Sequence, residues 1–171
     1  MNKPHRFSIY CLWGGFVKIK WHWLGLSVAA PLCVGALATF LTYTRTETFE
    51  NFKKPFLFPP EWVFLLARII IFILMGIACY LIIISPKTEE RKTALQFYGL
   101  QLIFNFFWHI IFFNLKIYSF AFVWLTALLI LIFSTLVAFY RISKNASRLL
   151  IPYFLWVVYA GYINISFAFL N

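Results

Sequence analysis

The chain has 171 residues, of which 63% are hydrophobic and 12% are charged, and its formal net charge is +10. A soluble domain of this size could not bury so much apolar surface, so the composition indicates a membrane protein. Aspartate is absent and glutamate occurs five times, which leaves almost no material for catalysis by paired carboxylates. The basic residues lie in short clusters between apolar runs, a pattern typical of membrane proteins rather than of nucleic-acid binding.

Five apolar segments are long enough to cross a bilayer, which takes about 20 helical residues. They cover residues 21–43, 60–84, 94–115, 118–140 and 149–170. The sequence therefore predicts an all-α integral membrane protein, in which a basic arm at 1–20 precedes one five-helix transmembrane domain at 21–171. Charged and polar loops are expected at 44–59, 85–93 and 141–148. The connection around Lys116 is so short that the third and fourth helices should be antiparallel neighbours.

The distribution of Lys and Arg predicts the orientation of the chain. Ten of these residues lie in the N-terminal arm and the second and fourth loops, against four in the first and third loops. Because basic residues are retained on the cytoplasmic side, the N-terminus is expected inside and the C-terminus outside, most simply in a bacterial cell membrane.

Two segments carry polar and aromatic side chains at spacings of three and four residues, which place each set on one helix face. The members are Tyr98, Gln101, Asn105 and Trp108 in the third segment and Tyr153, Trp156, Ala160 and Asn164 in the fifth. If the stripes face each other, they would line a cavity with a few hydrogen-bonding groups, as small-molecule pockets do. The alternative is that Gln101, Asn105 and Asn164 join helices by hydrogen bonds.

An arginine lies about two turns inside the second apolar segment. Arg68 shares a helix face with Glu61 and Phe72. An ionisable residue within a span is a candidate for function, because it is costly there. The alternative is that Arg68 reaches to the near interface and pairs with Glu61. His109 has no partner ligand at helical spacing, so no metal site is expected.

Three stretches carry a family resemblance in the same order along the chain: "FENFKKPFLFPPEWVF" at 49–64, "YGLQLIFNFFWHIIFF" at 98–113 and "LLIPYFLWVVYAGYIN" at 149–164. The first resembles the K-P-x-x-x-P-P-x-W-V signature of the translocator protein (tryptophan-rich sensory protein) family. The others are similar to that family's third and fifth helices. The resemblance covers about residues 45–171 and leaves out the N-terminal arm.

This resemblance implies a five-helix bundle with a ligand pocket near the first loop. Members of the family bind porphyrins, and several bind cholesterol or benzodiazepine-type drugs. No cofactor is implied, so a porphyrin is the candidate ligand, and a homodimer is compatible with the resemblance. With Arg68 and Phe72 added from the second helix, the expected ligand-binding residues are Phe49, Arg68, Phe72, Asn105, Trp108, Trp156 and Ala160, under a loop lid shaped by Pro55, Pro59 and Pro60.

The chain departs from the family pattern at three positions. Arg68 and Leu57 stand where the family has tryptophan, and Phe49 stands where it has tyrosine. These losses weaken the case for a light-dependent, porphyrin-degrading enzyme. The sequence therefore predicts a non-enzymatic membrane receptor or sensor for a flat apolar ligand such as a tetrapyrrole or sterol, with a transporter as the alternative. The guanidinium of Arg68 suggests charge pairing with the carboxylates of an acidic ligand.

The topology is open to a direct test. Five spans place the two termini on opposite sides of the membrane, so reporter fusions at the N-terminus and C-terminus should give opposite signals. The N-terminal fusion should report the inside. Two fusions that report the same side would rule out an odd number of spans.

Overall fold

The computed structural model describes the backbone of residues 8–11, 15–18, 20–46 and 60–170, and the side chains of 20–42, 60, 62–166 and 169. Five α-helices are present in this part of the chain, and a six-residue π-helix extends the third. Their bounds are α1 Trp21–Thr46, α2 Glu61–Ile83, α3 Glu89–His109, the π-helix Ile110–Leu115, α4 Tyr118–Ile142 and α5 Lys144–Leu170. Each of the five is long and apolar enough to span a membrane, which confirms the predicted fold.

Two short strands precede the helices. Strand β1 (Ser8–Cys11) pairs antiparallel with β2 (Gly15–Lys18). Both strands lie within the segment predicted as a basic N-terminal arm. They stand outside the transmembrane bundle, which is entirely helical in the part that the structure describes.

Two predicted loops are shorter than expected, because polar residues extend the helices beyond the apolar spans. Helix α3 begins at Glu89, after Thr88 caps it by accepting a hydrogen bond from the backbone N–H of Arg91 at 3.2 Å. The loop predicted at 141–148 is reduced to Ser143, which separates α4 from α5. Hydropathy marks the membrane-crossing part of a helix, whereas its ends depend on capping and turn residues.

Each helix of the bundle runs antiparallel to the next in sequence. Around the bundle the neighbours follow the order α1, α2, α5, α4, α3. The backbone N–H of Lys20 donates to the hydroxyl of Tyr80 at 3.1 Å, which ties the start of α1 to the end of α2. At the opposite end, Asn114 Nδ2 donates to the carbonyl of Leu41 at 3.3 Å. The short turn between the π-helix and α4 uses Lys116 with a φ of 56°.

Helices α1 and α2 approach closely at two glycines. A Cβ atom added to Gly76 would lie 2.5 Å from the Cα of Val28 and 2.8 Å from the carbonyl oxygen of Ser27. A Cβ added to Gly35 would overlap the ring of Phe72. Backbone contact of this kind is how helices associate in lipid, where no hydrophobic effect drives them together. Gly35 also holds Phe72 in position against the interior of the bundle.

The outer surface of the bundle suits a lipid solvent. Large apolar side chains such as Phe40, Val123 and Leu155 are well exposed on it. Hydroxyl groups on the helices donate to the carbonyl four residues earlier, as Thr126 does to Phe122 at 2.9 Å. In hydrocarbon a polar group has no water to bind, so it must be satisfied within the protein.

The close contact at Gly76 predicts that an alanine there destabilises the protein, although alanine normally stabilises a helix relative to glycine. Alanine favours a helix over glycine by about 1 kcal/mol, yet Gly76→Ala should lower the thermal midpoint, since the methyl group meets backbone atoms that cannot turn away. Gly99→Ala in α3 is the matched control, because nothing lies within 4 Å of its added Cβ. That variant should be neutral or more stable. Equal midpoints for the two variants in detergent would contradict the close α1–α2 contact.

Candidate functional site

A cavity of about 30 Å³ lies inside the bundle between α2, α3, α4 and α5. Its walls combine apolar, aromatic and polar side chains from all four helices. They are Phe64, Arg68, Ile71 and Phe72 from α2, Asn105, Trp108 and His109 from α3, Leu125 and Leu128 from α4, and Tyr153, Trp156, Val157 and Ala160 from α5. A space of this size holds about two water molecules.

A hydrogen bond joins the two polar stripes at the cavity. Asn105 Nδ2 donates to the hydroxyl oxygen of Tyr153 at 3.0 Å, and both residues are buried. Asn105 therefore links α3 to α5, the role that was the alternative to lining a ligand cavity. Its Oδ1 atom nevertheless has no hydrogen-bond partner among the described residues. Asn105 can thus hold the helices and still accept one more hydrogen bond.

Helix α3 changes geometry beside the cavity. The π-helix begins at Ile110, directly after His109. His109 Nδ1 lies 2.8 Å from the backbone oxygen of Asn105. A carbonyl oxygen can only accept, so Nδ1 carries the hydrogen, and a neutral ring then has its lone pair on Nε2. Short π-helical turns occur frequently at functional sites, where they redirect side chains.

Aromatic rings form two walls of the cavity. Trp156 meets Phe64 edge to face, with ring centroids 4.9 Å apart. Trp108 stacks on Phe112 at 5.2 Å with an interplanar angle of 24°. The Nε1 atom of Trp108 is buried and has no hydrogen-bond partner in the described part of the chain. The packing thus fixes the indole of Trp108 while its N–H remains available.

Arg68 brings the charge to this site. Its guanidinium carbon lies 5.8 Å from the centre of the Phe72 ring, a distance at which a cation is attracted to an aromatic face. Its Nη2 atom is buried and makes no hydrogen bond to any residue that the structure describes. No ion pair of Arg68 is present there either. The side chain of Glu61, the partner in the snorkelling alternative, lies outside the described residues.

The structure brings together six of the seven ligand-binding residues named from the sequence. Arg68, Phe72, Asn105, Trp108, Trp156 and Ala160 line one cavity. Phe49 and the lid residues Pro55 and Pro59 lie outside the described residues. Pro60 is described as the exposed N-cap of α2 and does not line the cavity.

The remaining members of the polar stripes do not reach the cavity. Tyr98, Gln101 and Asn164 are buried, and their side-chain polar atoms have no hydrogen-bond partners among the described residues. Each predicted stripe therefore includes residues that lie outside the cavity. His109 and Phe64 line the cavity but were not predicted to do so. His109 follows Asn105 by four residues, so helical spacing places it on the same face, although it was considered only as a metal ligand. In the described part of the chain, no three His, Cys, Asp or Glu side chains could hold a metal ion.

The residues that line the cavity lie within a segment that matches a known protein family. The family model described as "TspO/MBR family" matches residues 27–170, which include every residue that lines the cavity. The chain belongs to the TspO/MBR family. It is an integral, multi-pass membrane protein, and its five spans contact the lipid bilayer.

Similar proteins occur in bacteria and in animals. The chain is 34% identical to "Tryptophan-rich protein TspO" of Chlorobaculum tepidum, over 86% of this chain and 95% of that one. It is 32% identical to "Tryptophan-rich sensory protein" of Cereibacter sphaeroides, over 83% and 85% of the two chains. The human "Translocator protein" is 29% identical over 82% and 85%. The similarity thus extends over nearly the whole length of these TspO/MBR relatives.

The bond between Asn105 and Tyr153 predicts a measurable loss of stability. Tyr153→Phe removes the hydroxyl that accepts from Asn105 and should cost about 0.6–1.7 kcal/mol, as interhelical hydrogen bonds in membrane proteins do. Tyr162→Phe is the matched control on the same helix, because Tyr162 is 41% exposed. Unfolding in detergent measures both variants. A loss for Tyr153→Phe no larger than that of its control would mean that the bond does not hold α3 to α5.

Proposed function

We propose that this TspO/MBR protein is a membrane receptor or sensor that binds a flat, mostly apolar ligand such as a porphyrin in the cavity between α2, α3, α4 and α5. The observation that carries the proposal is the presence of polar atoms without partners between aromatic walls. Nη2 of Arg68, Oδ1 of Asn105 and Nε1 of Trp108 share one cavity within the bundle. Buried polar groups are rarely left unpaired, and a bound molecule would supply their partners.

The aromatic side chains favour a planar ligand. Phe64, Trp108 and Trp156 contribute ring faces and edges to the walls, and aliphatic residues of α2, α4 and α5 complete them. Rings prefer offset stacking or edge contact with other rings, which adds about 0.5–1.5 kcal/mol per pair beyond the burial of area. A tetrapyrrole offers a large ring to such walls. Sterols and benzodiazepine-type compounds present less ring surface and are alternative ligands.

The present size of the cavity implies that the bundle must open. Pockets for drug-sized molecules occupy about 300–1,000 Å³, well above the 30 Å³ of this cavity. Binding therefore requires movement of the residues that line the cavity. Such a rearrangement on binding is the kind of change that a receptor could pass to a partner protein.

The names of the relatives support two uses of such a site. The protein of Cereibacter sphaeroides is named a sensory protein and the human one a translocator. We favour sensing for this chain, because its sequence shows no inverted repeat or paired broken helices of the kind found in many transporters. Protein-dependent release of a porphyrin from liposomes, at a rate above that of protein-free liposomes, would favour transport instead.

A catalytic role is the third candidate, and illumination can distinguish an enzyme that degrades the pigment from a protein that only binds it. Arg68 occupies a position where the family has tryptophan, so one aromatic group that could take part in porphyrin photochemistry is missing. We expect illumination of the porphyrin complex to bleach the pigment no faster than illumination of free pigment. Faster bleaching with formation of a defined product would favour the enzyme.

The proposal includes the location and orientation of the protein. We propose the cell membrane of a bacterium, with the N-terminus inside and the C-terminus outside. The charge bias of the loops and the 34% and 32% identity to bacterial relatives support this proposal. A homodimer is compatible with it.

Ala160 provides the sharpest test of the site. It is 6% exposed and lines the cavity. Ala160→Phe should fill the space that the ligand needs, and an overpacking cost of about 1–3 kcal/mol corresponds to roughly 5- to 150-fold weaker binding. Quenching of tryptophan fluorescence by protoporphyrin measures the dissociation constant.

The control for this substitution is Val158→Phe, which adds a phenyl group to the same helix at a side chain that is 47% exposed. Its affinity should equal that of the unmodified protein. Thermal midpoints of both variants show whether the bundle remains folded, and Ala160→Val offers a milder change if Ala160→Phe does not fold. Unchanged affinity in a folded Ala160→Phe variant would place the ligand elsewhere.

A further inference from the structure

The positive charge of Arg68 has no negative partner in the described part of the chain. Aspartate is absent from the sequence, so only its five glutamates could serve. Glu89 and Glu90 lie in the first turn of α3, at the opposite end of the bundle from the start of α2, and Glu89 pairs with Lys92 at 3.8 Å. The side chains of the other three glutamates lie outside the described residues.

Glu61 is the glutamate nearest to Arg68 in sequence, yet its position is unfavourable for pairing. Seven residues of α-helix separate the two Cα atoms by about 10 Å along the axis. The guanidinium of Arg68 lies over the ring of Phe72, one turn farther into the bundle, and lines the cavity. Phe72 is in turn held by its contact with Gly35. This packing favours a guanidinium placed at the cavity rather than at the outer end of α2.

The groups around the guanidinium suit an anion that has two oxygen atoms. Arg68 Nη2 and Trp108 Nε1 are buried donors without partners in the described part of the chain. A guanidinium offers a planar fork of donors that matches a carboxylate, and an indole N–H can donate to either of its oxygens. The Oδ1 atom of Asn105 and, in a neutral ring, the Nε2 atom of His109 are acceptors, which would face a protonated group or a bridging water rather than the anion.

We propose that Arg68 and Trp108 bind a carboxylate of the ligand, so that the cavity selects flat apolar acids over their neutral analogues. This inference rests on the proposed function and adds the chemical class of the ligand. The cavity of about 30 Å³ has room for a small polar group but not for a ring. The ring needs further space, which Phe64 and Trp156 would have to yield. A charge-assisted hydrogen bond in this interior is stronger than one between neutral groups.

The test compares protoporphyrin with its dimethyl ester, which keeps the ring and loses both negative charges. Binding is measured by tryptophan quenching in nanodiscs of phosphatidylcholine that contain no free fatty acid. Arg68→Leu should weaken binding of the acid about ten- to a hundredfold, as expected for a charged hydrogen bond, and leave binding of the ester nearly unchanged. Trp108→Phe keeps a ring but loses the donor, and should also weaken the acid more than the ester.

Arg91→Leu is the matched control for net charge. Arg91 lies at the inner end of α3, where its Nη1 donates to the backbone oxygen of Ser85 at 3.0 Å. Arg91→Leu removes one positive charge, as Arg68→Leu does, but leaves the cavity unaltered. We expect both ligands to bind as before, and any loss seen in this variant measures the effect of net charge alone. Arg68→Lys keeps the charge without the planar fork, and we expect an intermediate loss for the acid.

Each result supports or overturns the inference. Equal losses for acid and ester in Arg68→Leu would make Arg68 a structural residue, and no loss for either would place the carboxylate elsewhere. If Arg68→Leu does not fold, the losses of affinity for the acid and for the ester are compared in Trp108→Phe and Arg68→Lys instead. Oleate, a carboxylate without a ring, should compete weakly, and competition as strong as that of the porphyrin acid would assign the site to fatty acids. An unmodified protein that binds the ester but not the acid would overturn this inference alone, whereas binding of neither would overturn the proposed function.

Discussion

Within a bilayer a polar group can find a partner only inside the protein, and this constraint governs the whole molecule. Each unsatisfied group costs several kcal/mol in hydrocarbon. On the outer faces of the helices the constraint is met locally, as when Thr126 donates to the carbonyl of Phe122. Inside the bundle it is not met among the described residues, since Arg68, Asn105 and Trp108 at the cavity each keep an atom without a partner. The same holds for Tyr98, Gln101 and Asn164, which are buried away from the cavity. Folding alone therefore does not explain why these polar groups are buried without partners.

The arrangement of the helices depends on a few close contacts between them. Gly76 lets α2 touch the backbone of α1 at Val28, and Gly35 accommodates the ring of Phe72. On the other side, the bond from Asn105 to Tyr153 joins α3 to α5. Only the bond between Asn105 and Tyr153 joins two residues that line the cavity, so it limits the distance between the α3 and α5 walls. A ligand that enters must work against this bond, which couples binding to the arrangement of the helices.

Much of this architecture can be predicted from the sequence, because hydropathy and length decide where a chain crosses a membrane. The number of spans and their approximate positions follow from hydropathy, although α3 and α5 each begin five residues before the predicted span. Helical spacing places Asn105, Trp108, Trp156 and Ala160 on one side of their helices. Periodicity gives a direction on a helix but not a depth, so it could not tell that Gln101 lies outside the cavity.

Two features could not be predicted for physical reasons. The π-helix from Ile110 to Leu115 has no marker in the sequence, and it begins beside the cavity, directly after His109. The helical character of residues 144–148 was missed because a polar sequence forms helix as readily as loop once a neighbouring helix is available to pack on. The predicted roles of Phe49, Pro55 and Pro59 remain predictions, since these three residues lie outside the described ones.

The central claim is that an acidic ligand is bound within the bundle by direct contact with Arg68. Solid-state nuclear magnetic resonance can measure the distance from the ¹⁵N-labelled guanidinium groups to ¹³C-labelled carboxylates of bound protoporphyrin in lipid bilayers. Hydrogen bonds between a guanidinium and a carboxylate of about 2.7–2.9 Å place the carboxylate carbon within about 4 Å of a guanidinium nitrogen. The account predicts a coupling at that distance that is absent from Arg68→Lys. A bound porphyrin whose carboxylates show no such coupling, or the same coupling in Arg68→Lys, would contradict it.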